Sequence, residues 1–178
     1  MRLSPAQFSL IQFENDGVID SLTESMAPAQ FFNALLREER IARRSGAEIL
    51  ILSVRLHTQL LLDSLFAPDA NRVENERFSP EEAIACIEQE ILKVSLLLAD
   101  SLRAGDFFTR FSDIGFLILI RGSKLEFELA TSRFREVVNV EIANGADEQP
   151  LWEVASLVKE RDETTSHVKS RIDRLHFH

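Results

Sequence analysis

Between Pro28 and Arg44 the apolar residues Phe31, Phe32, Leu35, Leu36 and Ile41 recur at helical spacing. Arg37, Arg40, Arg43 and Arg44 crowd the end of that stretch, where cations offset the helix dipole, and Gly46 is a natural stop. We read this arginine cluster as a solvated face. Pro-Ala-Gln-Phe occurs at 5–8 and again at 28–31, each copy marking a helix start with Pro in its first turn. Ala47–Leu56 is short, rich in Ile, Leu and Val, and follows Ser-Gly, which predicts a buried strand. Leu60–Leu65 reads as a short helix and the polar stretch 67–80, with two prolines, as a surface loop. A long helix follows, with Ser79 as N-cap, Pro80 in the first turn and Glu82 completing a capping box. Its stripe runs Ile84, Ile87, Ile91, Val94, Leu98, Leu102 and should stop near Gly105.

Phe107–Phe111 and Phe116–Ile120 flank Ser-Asp-Ile-Gly and predict a β-hairpin. Glu126–Val140 is helical, with Phe127, Ala130 and Phe134 on one face, and Asn144–Asp147 is a turn. Leu151–Val158 predicts a strand holding the only tryptophan, and the tail from Glu160 is charged and poorly patterned. The order predicts an α/β sandwich in which a mixed central sheet is flanked by helices. Residues 1–19 read as an N-terminal extension and 20–178 as a single domain.

Composition narrows the function classes. The chain has 178 residues, 45% hydrophobic and 28% charged, which is ordinary globular composition. A net charge of −9 disfavours a nucleic-acid polymer as partner, since neutralising phosphates needs a basic stripe. Cys86 alone makes neither an internal disulfide nor a cysteine-based zinc site and suggests a reducing compartment. No apolar run approaches the roughly 18 residues of a membrane span. The expectation is a cytoplasmic domain with no membrane partner. His57, His167, His176 and His178 show no ligand spacing with acids, and the last two read as a solvated terminus. Arg55 stands on an otherwise apolar strand; it either faces a cleft or pairs with an acid such as Asp113, and we favour pairing.

Four stretches in order resemble the GGDEF domain, the diguanylate cyclase family. Asp20-Ser-Leu22-Thr23 is similar to the family's opening Asp-x-Leu-Thr, and Ile49–Leu56 sits where the first core strand belongs. Leu102-Arg-Ala-Gly-Asp106, five residues, then Ser112-Asp113-Ile114-Gly115-Phe116 resembles Leu-Arg-x-x-Asp followed by the signature pentapeptide. Ala130–Val138 with the Trp152 strand resembles the closing helix and strand. The match spans roughly residues 20–160 and implies a nucleotidyl-cyclase, palm-like sandwich.

In that family the hairpin glycines admit GTP, while an acid in the hairpin and another at the end of the first strand bind divalent metal. This chain departs at each place. Only Phe116 of the pentapeptide matches, Ile114 and Gly115 stand where the acids belong, and the first strand reads Ser53-Val54-Arg55. The Lys, Asn and Asp that follow it in the family are absent from Leu56-His57-Thr58-Gln59, and the loop 67–80 looks inserted. The resemblance therefore implies a degenerate, non-catalytic module with no catalytic residue, no metal ligand and no cofactor.

Arg103 and Asp106 match the family's product-inhibition site, Arg-x-x-Asp, in register. A guanidinium can bond the O6/N7 edge of guanine and a carboxylate can accept from its N1–H and N2–H₂. The family takes a second arginine from the later helix, where Arg133 and Arg135 stand. The implied ligand is cyclic di-GMP. Against this stands a structural reading, in which Arg103 offsets a helix dipole and Asp106 caps a turn. The competing function is a ligand-free module that pairs with itself or with another signalling protein. Nineteen residues before Asp20 are too few for a fused sensor, so input is expected by ligand or by contact.

Overall fold

Glu48–Leu56 (β1) is buried at nearly every position rather than at alternate ones, because helices cover both of its faces. A computed structural model describes residues 3–65, 79–139 and 150–177. Four strands form the sheet in the order β2-β3-β1-β4, with β2 at Phe107–Ser112, β3 at Gly115–Gly122 and β4 at Trp152–Lys159. Leu50, Leu52 and Val54 face one layer and Ile49 and Ile51 the other, as the two-residue period of a strand requires. The first layer is α4 (Pro80–Ser101) with α5 (Lys124–Val138); the second is α2 (Pro28–Ser45) with α6 (Thr165–Phe177). The short helices α1 (Pro5–Phe8) and α3 (Thr58–Leu65) complete the chain order.

The local signals explain most boundaries. Ser79 accepts from the Glu82 amide while Glu82 accepts from the Ser79 amide, so two orphan donors of α4 are satisfied reciprocally. Ser123 and Glu126 build the same box for α5. Gly46 ends α2 at φ 75°, the left-handed conformation that glycine adopts without strain.

Two expectations are corrected. The sheet is antiparallel in all its strand pairs, not mixed. The crossover from β1 through α3 and α4 lands on β2, which is not β1's neighbour, and β3 then returns beside β1 in the opposite sense. The tail beyond Glu160 is not unpatterned either. It forms α6, whose buried stripe is Val168, Ile172 and His176 at steps of four. Three members, one of them a histidine, make a faint apolar signal. The expected loop 67–80 and the turn Asn144–Asp147 fall largely or wholly outside the described residues.

The segment before Asp20 packs on the domain. Ile11 joins the core under α4, and the Gln12 amide donates to Glu88. Residues 12–26 form a strap along the edge strand β2: Met26 bridges Thr109, whose hydroxyl donates to the Met26 carbonyl at 2.6 Å. Covering an edge strand in this way removes a template for unwanted pairing. Arg110 and Asp20 anchor the strap, at 0% and 1% exposure, with Nη1 3.5 Å from the carboxylate. Arg110 also donates to the carbonyls of Gln12 and Asp113 and lies over the Phe13 ring. Asp20 accepts from the amide and hydroxyl of Thr23. Burial draws the Arg110 pKa below its ordinary value, and the Asp20 charge opposes that pull.

Removing one partner of a buried pair leaves the other charge uncompensated, at a cost of about 3–5 kcal/mol. Arg110→Met and Asp20→Leu should each lower the urea unfolding free energy by that order. The double variant should lose clearly less than the sum of the two, and additive losses under about 1 kcal/mol each would contradict the anchoring role.

Candidate functional site

Two places carry the residues singled out above, and they lie at opposite ends of β2. The first is the cleft between the end of β1 and the β2–β3 hairpin. Strand alternation puts Ser53 and Arg55 on the same face as Ile49 and Ile51, the face that α6 covers. Ser53 is 2% exposed, and its hydroxyl pairs with His176 Nδ1 at 2.8 Å. Ser112, ending β2, pairs with His176 Nε2 at 2.7 Å. The imidazole therefore spans the cleft, with one ring nitrogen donating and the other accepting.

Aromatic and backbone contacts fix the ring. Phe111 meets it edge-on at 5.3 Å and also packs against Phe177. Gly115 leaves room for it: a Cβ there would come within 2.5 Å of His176 Cε1 and 2.9 Å of the Val54 carbonyl. Glycine is required here for close approach. His176 itself is 0% exposed, which overturns the expectation of a solvated terminus; His178 lies outside the described residues.

Arg55 does not pair with Asp113. One guanidinium nitrogen donates to Glu153 of β4 at 2.7 Å and the other to the His176 carbonyl at 3.1 Å. β1 and β4 are registered so that Arg55 and Glu153 face each other directly, whereas Asp113 sits in the hairpin turn and contributes its carbonyl to Arg110. His57 stands 3.8 Å from the same Glu153 carboxylate, and a cavity of about 280 Å³ lies beside Arg55, His57, Thr58 and Ile114. Burial, with the Arg55 charge adding to it, lowers the His176 pKa from 6.5 to about 4, so the imidazole is neutral at neutral pH.

This donor set does not fit a pair of hard divalent cations. Such ions want clustered carboxylate oxygens, whereas the side chains meeting here are two hydroxyls, an engaged imidazole and a guanidinium paired with the carboxylate of Glu153. Ile114 in the turn supplies no donor atom from its side chain.

The second place is the turn between α4 and β2. The Asp106 carboxylate accepts from the Arg103 amide at 3.1 Å, and the Asp106 amide donates back to the Arg103 carbonyl. Gly105 at φ 99° makes that tight return free of strain. From α5, Arg133 brings Nη2 to 3.9 Å from Asp106 and lies over the Phe134 ring. Its Nε is buried without a hydrogen-bond partner among the described residues. Arg103 is exposed and close enough to Glu126 for its charge to add to the lowering of that carboxyl's pKa, which Ser123 dominates.

Arg133 and Asp106 thus meet through their side chains, and Arg103 joins them on the same turn through its backbone amide. Arg135 does not join them: two positions along the helix, it points elsewhere and donates to the Val154 carbonyl of β4. Elsewhere, a cavity of about 500 Å³ opens at the far end of β1, where Glu39, Arg43 and the buried Lys159 mix both charge signs.

Sequence reasoning missed His176, Glu153 and Arg110. The four-residue step from Val168 through Ile172 was the available signal for His176. Glu153 and Arg110 gave none, because strand register and burial decide their partners.

No protein-family model matches the chain, and no curated protein matches it. Solved structures do. The diguanylate cyclase SiaD from Pseudomonas aeruginosa, in complex with its activator SiaC, superposes with TM-score 0.64 at 16% identity over 88% of this chain; the chain spans only 55% of SiaD. The GGDEF domain of DgcB from Caulobacter crescentus, in complex with c-di-GMP, gives TM-score 0.64 at 15% identity, covering 90% of this chain and 88% of that one. The FimX GGDEF domain from Pseudomonas aeruginosa gives 0.61 at 15% identity, covering 88% and 90%. With its antiparallel sheet between two helical layers, the chain has the fold of a GGDEF domain.

Proposed function

We propose that this chain is a non-cyclising GGDEF-like signalling module that binds cyclic di-GMP as a receptor, through Arg103, Asp106 and Arg133. The observation that carries the reading is the meeting of Asp106 and Arg133 at 3.9 Å on the surface turn that also holds the exposed Arg103. The Arg133 guanidinium beside the Asp106 carboxylate, with the exposed Arg103 side chain on the same turn, offers donors for the Hoogsteen edge of guanine and an acceptor for its N1–H and N2–H₂. The GGDEF domain of DgcB, similar in fold, occurs in complex with c-di-GMP, which supports the reading. The non-cyclising half of the reading draws support from the hairpin cleft, where Ser53, Ser112, Arg55 and His176 bond one another in place of clustered carboxylates.

The second reading, an interaction module without a ligand, draws on exposed leucines. Leu96 of α4 and Leu125 and Leu129 of α5 are 69%, 67% and 60% exposed on the helical layer that also carries Arg133. A homodimer or a signalling-protein complex that ignores the dinucleotide would favour it.

Isothermal titration separates the two. Cyclic di-GMP should bind the wild type, and Arg103→Ala or Arg133→Ala should weaken it by about 10- to 100-fold, the worth of one bidentate guanine contact. Arg135→Ala should leave the affinity unchanged. No heat with the wild type, or equal losses at all three arginines, would sink the ligand. In a separate assay, GTP with Mg²⁺ should yield no cyclic dinucleotide, and turnover that scales with protein concentration would refute the non-cyclising half of the reading.

A further inference from the structure

The cleft at the hairpin is filled by the chain's own C-terminal turn, and the group that fills it is titratable. Four features converge on His176. It is fully buried, each ring nitrogen meets a serine hydroxyl, Gly115 is moulded to its edge, and Phe111 and Phe177 bracket it. A neutral imidazole suits this site because hydroxyls rotate, so one serine donates while the other accepts. A protonated imidazole suits it poorly. Both nitrogens would then donate, both serines would have to accept, and a positive charge would enter a dry site.

The surroundings supply no compensation. From β1 comes Arg55, a second positive charge bonded to the His176 carbonyl. The carboxylate of Glu153 on β4 is engaged by Arg55. β2 offers Phe111 and Ser112, β3 the backbone at Gly115, and α2 the ring of Phe32 against Phe111, with Lys169 of α6 above it. Asp113 in the hairpin turn engages Arg110 through its carbonyl. Among the described residues no carboxylate hydrogen-bonds the His176 ring.

We propose that the last turn of α6, Leu175–Phe177, is a clasp held shut by an uncharged imidazole, and that protonation of His176 releases it from the cleft between β1 and the hairpin. The sign follows from linkage. A histidine that is more basic when free than when docked takes up a proton on release, so acid favours the released state. The docked pKa of about 4 lies below the ordinary 6.5, so docking is at full strength above pH 6.5 and weakens as pH falls towards 4. Ile172 and Val168 stay buried one and two turns back, so release is confined to the end of the helix. Release uncovers Phe111, Ser112 and Gly115 and frees one arm of Arg55. The inference does not rest on dinucleotide binding.

Hydrogen exchange on the intact chain, corrected for the intrinsic effect of pH, tests it. With a pKa of 6.5 when released and about 4 when docked, the linkage makes protection at Leu175–Phe177 fall by roughly 40-fold from pH 6.5 to 4.5. Protection in β1 and β3 should fall far less. His176→Gln keeps a donor and an acceptor but does not titrate, and it should flatten the pH dependence of those amides. NMR titration of the wild-type imidazole is the second readout, independent of any variant, and should place His176 near 4. Unchanged protection at pH 4.5, the same pH dependence in His176→Gln, or an imidazole titrating near 6.5 would each overturn the clasp.

Discussion

The buried ion pair between Asp20 and Arg110 is the constraint on which the hairpin end of the molecule depends. An arginine at 0% exposure survives only where charge and hydrogen bonds meet it, and here the strap supplies both. The same guanidinium holds the Asp113 carbonyl, so it ties the strap to the turn that positions Ser112 and Gly115. Through those residues the anchor reaches the cleft: Ser112 bonds His176, and His176 seats the end of α6. A segment that reads as an extension is therefore part of the cleft's support.

The two ends of β2 have separate chemistry. Around His176 the polar side chains satisfy one another through serine, histidine, serine and arginine, while Asp20 Oδ2 and Arg110 Nε behind the hairpin are buried without a hydrogen-bond partner among the described residues. At the other end Arg103 is exposed and Arg133 retains a buried nitrogen without a hydrogen-bond partner among the described residues. Polar groups that are already satisfied resist a ligand, because binding must break what burial has paired. On the proposed reading, the exposure of Arg103 makes the turn, rather than the filled cleft, the place open to a dinucleotide.

Much of the fold was readable before any coordinates. The capping box of Ser79 and Glu82, the stop at Gly46 and the apolar stripe of α4 are local signals, and each set a boundary within a few residues. Strand direction was not local, so the sheet read as mixed although β3 pairs antiparallel with β1. Arg55 shows the same limit. Its need for a carboxylate was evident from an apolar strand, but only the register with β4 selects Glu153 over Asp113. His176 was misread because a polar residue at a chain's end looks solvated until the stripe of Val168 and Ile172 is recognised. At the turn, Arg-x-x-Asp spacing singled out Arg103 and Asp106 as candidates, while helical phase alone separates Arg133 from Arg135.

As proposed, ligand recognition belongs to the Arg103 turn, while the chain's own His176 occupies the cleft at the hairpin. A crystal structure obtained at neutral pH with cyclic di-GMP, GTP and Mg²⁺ all present tests it most directly. The account predicts dinucleotide density against Arg103, Asp106 and Arg133, with His176 still seated between Ser53 and Ser112. Nucleotide or metal density between Ser53 and Gly115, with the end of α6 displaced, would contradict it.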